Sequence, residues 1–238
     1  MCQDCPDKTV NRRNLIVGGL ALAGAGATIS PAAAQTATDE AMPVSPEEAL
    51  QRLIDGNARY VANAPINTDH SVGRVARAAG QQPFAAVVCC SDSRVAPELV
   101  FDQGPGALFV VRVAGNFINE DGLASLEFGA AVLGLKLIVV LGHSSCGAVV
   151  ATIASIQDNE LPPGHLPSLV NAIRPAVYDV MAKNPDDLLV AATERNAINN
   201  AERAQTEAPI LSELHSSGKL KSAAAIYEIS TGEVTFLS

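Results

Sequence analysis

Two short stretches of this chain carry side chains that could do chemistry together. The apolar run that begins at Phe84 ends in Cys89-Cys90-Ser91-Asp92-Ser93-Arg94, and the run that begins at Lys136 ends in Gly142-His143-Ser144-Ser145-Cys146-Gly147. A thiolate from the first stretch, with an imidazole and a thiolate from the second, makes a Cys2His donor set. Such soft and borderline donors suit tetrahedral zinc and leave a fourth position for water or substrate, the mark of a catalytic rather than a closed structural site. Adjacent residues of a strand point to opposite faces. Cys90 adjoins the polar turn and is the expected ligand. Cys89 is assigned to the core, the usual place of a lone thiol. On residue types alone a second reading stands beside this one, in which Cys90 and Cys146 are inert core thiols near a helix-capping His143.

The surrounding pattern says what positions these residues. Phe84–Cys90, Ala107–Val113 and Lys136–Gly142 are continuous apolar runs, the signature of strands buried on both faces. Between the last two, Leu123, Leu126, Ala130 and Leu133 recur at helical spacing over Gly122–Leu135. Strands alternating with helices predict an α/β fold with a mostly parallel central sheet flanked by helices. Ser45-Pro46-Glu47-Glu48 predicts a helix start, with Ser as N-cap and Pro in the first turn, continued by Leu50, Leu53, Ile54 and Tyr60. A short helix is expected over Gly73–Gly80, and further helices from about Leu166, Asp186 and Pro209. Ser230-Thr231-Gly232-Glu233 reads as the turn of a C-terminal hairpin. In open α/β sheets ligands sit beyond the carboxyl ends of strands, which is where both polar stretches fall.

The 238 residues are 48% hydrophobic with a formal net charge of -9 and no basic run. That excludes nucleic acid and anionic membrane surfaces as expected partners, since both need clustered Lys and Arg. Trp is absent and aromatics are 4%, so no stacking platform for bases or sugars is expected. The first 34 residues read as an export signal: a charged segment with Arg12-Arg13, the weakly apolar run LIVGGLALAGAGATIS, and small residues with cleavage near Ala34. The paired arginines resemble a twin-arginine signal, which places the protein in the periplasm or outside the cell. A retained N-terminal anchor is the alternative; the run is barely long enough to span and is rich in Gly and Ala. Residues 35–45 are a linker, and 46–238 a single catalytic zinc domain with no stable membrane association. Cys2 and Cys5 would be removed with the signal and are given no role. Without residues 1–34 the chain keeps 13 basic and 23 acidic side chains, net -10, and Cys89, Cys90 and Cys146. Three thiols make a poor disulfide framework, so metal binding is the better account of them.

CSDSR and HxxC, with DQGPGALFVVRVAGN between them, resemble the β-class carbonic anhydrases, and the resemblance runs from about Pro46 to Leu237. It implies one zinc per subunit on Cys90, His143 and Cys146, with Asp92 and Arg94 as catalytic dyad. It also implies Asp92 as the fourth ligand in a closed form, which shuttered members of the family adopt at low pH. Gln81, Phe109 and Gly147 match substrate-pocket positions of the constitutively open subtype, Gln81 as hydrogen-bond partner of a substrate oxygen and Gly147 through its backbone N–H. Val87 stands where the shuttered subtype has tryptophan, which favours the open form. Phe128 stands where the open subtype often has tyrosine, so one pocket hydroxyl is missing. The activity implied is reversible hydration of CO2 to bicarbonate and a proton, by water deprotonated on zinc. A homodimer or tetramer is implied, with the arm Pro46–Ala62 on a neighbouring subunit and Gln81 and Phe109 reaching across.

Other readings remain at this point. Hydrolysis of CS2 or COS uses the same metal site. A non-catalytic bicarbonate- or zinc-binding protein would keep the fold, but binding alone does not require the Asp92–Arg94 pair. A redox role for Cys89-Cys90 is disfavoured, because vicinal cysteines form only strained disulfides. His70 and His165, in loop-like stretches, are read as solvated surface histidines rather than proton relays, and His215 is assigned nothing.

Overall fold

Ser45 caps the first helix as expected: its side chain accepts from the Glu48 N–H at 3.1 Å, and Pro46 opens α1 (Pro46–Val61) with Glu47 and Glu48 in the first turn. Acids there complement the positive end of the helix dipole. Ala49 and Leu53, one turn apart, are fully buried on its inner face. The computed structural model describes residues 45–71 and 73–237. The expected export signal, residues 1–34, and the linker up to residue 44 lie outside them. Among the described residues no helix is long and apolar enough to cross a membrane.

After α2 (Arg74–Arg77), the chain enters β1 (Ala85–Cys89), then α3 (Pro97–Val100), β2 (Leu108–Arg112), α4 (Glu120–Ala131) and β3 (Leu137–His143). Next come α5 (Gly147–Gln157), α6 (Leu166–Met181), α7 (Leu188–Thr206) and α8 (Ile210–Ser216), and the chain closes with β4 (Lys221–Tyr227) and β5 (Val234–Phe236). The three central apolar runs are strands within a residue or two of their expected bounds. The expected helices are present as α2, α4, α6, α7 and α8, with Asn119 and Asp187 capping α4 and α7 through their side chains. Two helices had no counterpart in the sequence reading: α3, a single turn, and α5.

The five strands are ordered β2-β1-β3-β4-β5, parallel except for the last pair. The C-terminal hairpin therefore does more than close on itself, since β4 pairs parallel with β3 from Leu137↔Lys221 to His143↔Tyr227. Both faces of the sheet are covered, which is why its strands read as unbroken apolar runs. Val87, Cys89, Val139 and Leu141 face a core with Ala49, Leu53, Phe84 and Phe101. Their neighbours Val88, Ile138 and Val140 face the opposite core with Leu126, Ala197 and Ala201. From β1 the chain steps outward to β2 and then returns past β1 to β3. The direction of winding thus reverses between β1 and β3, and a crevice opens there beyond the carboxyl ends of the strands.

Candidate metal centre and active site

Cys90 is the first residue beyond β1, and His143 is the last residue of β3, so both project at the point of reversal. Cys146 follows after a tight turn in which Ser145 takes a left-handed backbone (φ 56), and it stands at the N-cap of α5. The ligand atoms of Cys90, His143 and Cys146 lie within 4.8 Å of one another, and all three residues are buried. A tetrahedral zinc with bonds of about 2.3 Å to sulfur and about 2.0 Å to nitrogen spaces its ligand atoms about 3.5–3.8 Å apart, so small adjustments fit this cluster to the metal. Cys89 points into the opposite core, where burial pushes its thiol up to about 12 and leaves it inert. The alternation of β1 thus divides the two cysteines as the sequence implies.

The imidazole is held in the tautomer a metal requires. His143 Nδ1 lies 2.9 Å from the Ser144 carbonyl, which accepts its proton and leaves the Nε2 lone pair facing the cluster. Nε2 is buried and has no hydrogen-bond partner in the protein. A buried acceptor left unpaired costs about 1–3 kcal/mol, a cost removed when the nitrogen ligates a cation. Ser144 is itself fixed: its N–H donates to the Tyr227 carbonyl at 3.0 Å and its hydroxyl to Glu228 Oε1 at 3.1 Å. Burial alone would lower the His143 pKa, but the adjacent Cys90 sulfur, the Ser144 carbonyl and the nearby Asp92 carboxylate together raise it.

The sulfurs are also tuned. The neighbouring Cys146 thiol pulls the Cys90 thiol down, against the opposing effect of burial, with further help from His143 and from the backbone N–H groups of Gly115 and Asp92. The same contact raises Cys146, while the N–H groups of Val149 and Ala148 at the start of α5 pull it down. Gly115 donates to Cys90 Sγ at 3.3 Å. It has φ 86, and a Cβ there would lie 2.4 Å from Ile173 Cδ1 and 3.1 Å from Ala148 Cβ, so only glycine brings this N–H to the sulfur.

Asp92 borders the cluster without entering it, with Oδ2 4.0 Å from His143 Nε2. Arg94 grips it as a fork, Nε to Oδ1 at 3.0 Å and Nη2 to Oδ2 at 2.7 Å, and the Arg94 backbone N–H adds a third bond to Oδ1 at 2.9 Å. The Arg94 hydrogen bonds hold the carboxyl well below the usual carboxylate range, so it is ionised at any working pH. Paired in this way, Asp92 accepts hydrogen bonds but is kept off the metal position.

The remaining sequence candidates fall into two groups. Gly147 opens α5 beside Cys146 and is exposed, with open space where a Cβ would stand. Phe109 pairs with Ala86, four positions before Cys90 and so about 13 Å along the strand, and Gln81 lies before β1 begins. Phe109 therefore does not reach the cluster of this chain. Phe128 is exposed on α4. His70 and His165 are exposed, whereas His215 is bonded on both nitrogens, Nδ1 to the Leu211 carbonyl at 2.7 Å and Nε2 to the Ser222 hydroxyl at 2.9 Å. Sequence reasoning missed Gly115 and Ser144. The Gly in VVRVAGN was visible as a point of close backbone approach; the Ser144 carbonyl had no signal.

Residues 85–234 match the family model described as carbonic anhydrase. The solved structure of the β-carbonic anhydrase CcaA is 30% identical, with a TM-score of 0.61 over 80% of this chain and 95% of its own. The chain belongs to the β-carbonic anhydrase family. Carbonic anhydrase 2 of Mycobacterium tuberculosis is 48% identical over 134 residues, which are 56% of this chain and 65% of that relative. The matched stretch therefore covers just under two thirds of the mycobacterial protein. The carbonic anhydrase of Synechocystis is 32% identical over 194 residues, 78% of this chain and 70% of the relative. The fold of the family accounts for the crevice between β1 and β3 and for the Cys90, His143 and Cys146 set arranged there to bind a metal.

Proposed function

We propose that this chain is a zinc-dependent carbonic anhydrase that converts CO2 and water reversibly to bicarbonate and a proton. The observation that carries this reading is the Cys2His cluster bordered by a carboxylate whose charge is fixed by Arg94. Cys90, His143 and Cys146 would hold one zinc per subunit. Zinc in such a set supplies Lewis acidity that makes water a nucleophile near neutral pH, moderated by two thiolate charges. Asp92, ionised throughout, would accept a hydrogen bond from the attacking water and orient it toward CO2. Arg94 keeps the carboxylate from closing the site, which supports the open rather than the shuttered form. The Gly147 N–H, at the exposed first position of α5 beside Cys146, is read as a donor to a substrate oxygen. The product proton leaves to solvent.

The pocket is completed in a homodimer. Phe109 lies too far along the strand to touch a substrate at its own cluster, which supports its serving, with Gln81, the cluster of a second copy. Phe128 on α4 and Val132 at its C-cap, 47% and 65% exposed, and Ile54 and Val61 on α1 supply apolar surface for such a contact. Residues 1–34 act as a twin-arginine signal ahead of a 35–45 linker and a 46–238 catalytic domain. Export after folding would load zinc in a reducing compartment, where the thiolates are safe, because metal binding is coupled to folding. Changing Arg12 and Arg13 to Lys should keep the protein inside the cell; normal export of that variant would refute the signal.

The deciding experiment is stopped-flow CO2 hydration by the zinc-loaded protein from pH 6 to 9. Rapid turnover persisting at neutral pH supports the open carbonic anhydrase. Turnover only above about pH 8 would overturn the open form, and none at any pH with zinc bound would overturn the activity itself.

A further inference from the structure

The loop that carries Cys90 and Asp92 is gripped by a side chain from another strand. In the parallel register of β1 and β2, Arg112 stands opposite Cys89, and the Val113 N–H donates to the Cys89 carbonyl at 3.2 Å as the last rung of the ladder. Past that rung the chain leaves the sheet, and the carbonyls of Cys90 and Asp92 lose the strand partner they would otherwise have. The Arg112 guanidinium takes its place, with Nε 3.0 Å from the Cys90 carbonyl and Nη2 2.7 Å from the Asp92 carbonyl. Among the described residues Arg112 makes no ion pair with an acid, so its donors are directed at backbone.

We propose that Arg112 is a positioning residue of this site, one that extends the β1–β2 ladder by a side chain and thereby fixes the backbone of Cys90-Ser91-Asp92. It touches neither substrate nor metal. It acts through two atoms that do the work: the direction of Cys90 Sγ and the placement of the Asp92 carboxylate within reach of Arg94. The planar fork spans two carbonyls at once, which the single ammonium of Lys cannot do in a fixed geometry. The Asp92 carbonyl also accepts the Val95 N–H at 3.1 Å, and the Asp92 carboxylate accepts the Arg94 N–H, so both amides report on the same turn.

The catalytic part of this inference rests on the carbonic anhydrase reading; the structural part does not. The experiment compares wild type with Arg112→Lys and Arg112→Ala in the full-length protein. It measures zinc content, melting temperature, hydrogen exchange of the residue 91–95 amides, and kcat and KM for CO2 from pH 6 to 9. In Arg112→Lys, zinc content and melting temperature should stay near wild type while the Arg94 and Val95 amides exchange about tenfold faster, as loss of one charge-assisted bond allows. kcat should fall by about tenfold or more with little change in KM. In Arg112→Ala, added guanidinium should restore part of the lost kcat. Wild-type exchange at residues 91–95 in Arg112→Lys would overturn the proposal. So would a loss of kcat in step with lost zinc or lowered melting temperature. If wild type itself fails to hydrate CO2, the functional reading falls, and the exchange data alone decide on Arg112.

Discussion

Asp92→Asn separates the chemical from the structural role of the dyad more cleanly than any other single change. Asparagine keeps the size and one acceptor oxygen but loses the charge that Arg94 grips with two side-chain bonds. The stability cost is small, because the Asp92 side chain is 18% and that of Arg94 51% exposed. A pair so open to solvent is worth about 0–1 kcal/mol. For a domain of this size that shifts the melting temperature by about 2–4 °C at most. Catalysis should suffer far more. An amide offers the nucleophile a weaker acceptor and, if flipped, a donor, and removing one preorganised partner of this kind costs about 2.7–4 kcal/mol, or 10²–10³ in kcat. None of the three ligands is touched, so zinc content should remain at one per subunit. The assay is stopped-flow hydration with metal analysis and a thermal melt on the same preparation. Unchanged kcat would remove Asp92 from the mechanism. Loss of kcat together with zinc would show that the carboxylate holds the metal loop rather than the nucleophile.

Cys146→Ser places a better N-cap residue at the head of α5, where the cysteine makes no capping hydrogen bond, yet it should lose both zinc and turnover; full metal occupancy after dialysis would mean the ligand set is misassigned. Asp102→Asn tests a strut away from the site. Asp102 is buried, and accepts from Arg59 Nε at 2.5 Å, Ile66 N at 3.1 Å and Asn67 N at 3.0 Å. Burial raises its pKa, but Arg59 and the two backbone N–H groups lower it further, and the net shift is downward. A lowered folded value means its stabilisation is complete above the unfolded pKa of about 3.9 and disappears as pH falls through the folded one. The variant should therefore lose about 1.5–3 kcal/mol at pH 7 and less near pH 3 in urea titrations. An equal loss at both pH values would refute the charge argument. Strain is not the cause, since Asn tolerates the left-handed backbone at this position (φ 45).

What the sequence disclosed about this site follows from which atoms do the chemistry. A metal needs sulfur and nitrogen, and a carboxylate needs a cation to hold it, so Cys90, Asp92, Arg94, His143 and Cys146 are visible as residue types. Strands β1 and β3 are visible because burial on both faces leaves no polar residue in them except at the end where the ligands begin, and the half-buried edge strand β2 is apolar up to Arg112. Helix α5 is not. GAVVATIASIQ has no polar stripe, its β-branched residues read as strand, and its N-cap is a cysteine that does not cap. The failure falls at the site itself, where a residue kept for its sulfur replaces one that would announce a helix. Sheet order is hidden for another reason, because pairing of β4 with β3 depends on helices α5 to α8 packing in between. Least legible are the groups that hold the ligands. Gly115 reaches Cys90 across 25 residues of sequence and Arg112 reaches it across 22, the first through its own backbone and the second to backbone. Gly115 shows in the sequence only as a point of close backbone approach and Arg112 only as a charge at a strand end, and neither residue type says which backbone or sulfur atom it meets. The side chains that react are therefore written in the sequence, while the contacts that aim them become readable only once β1 and β2 are set side by side.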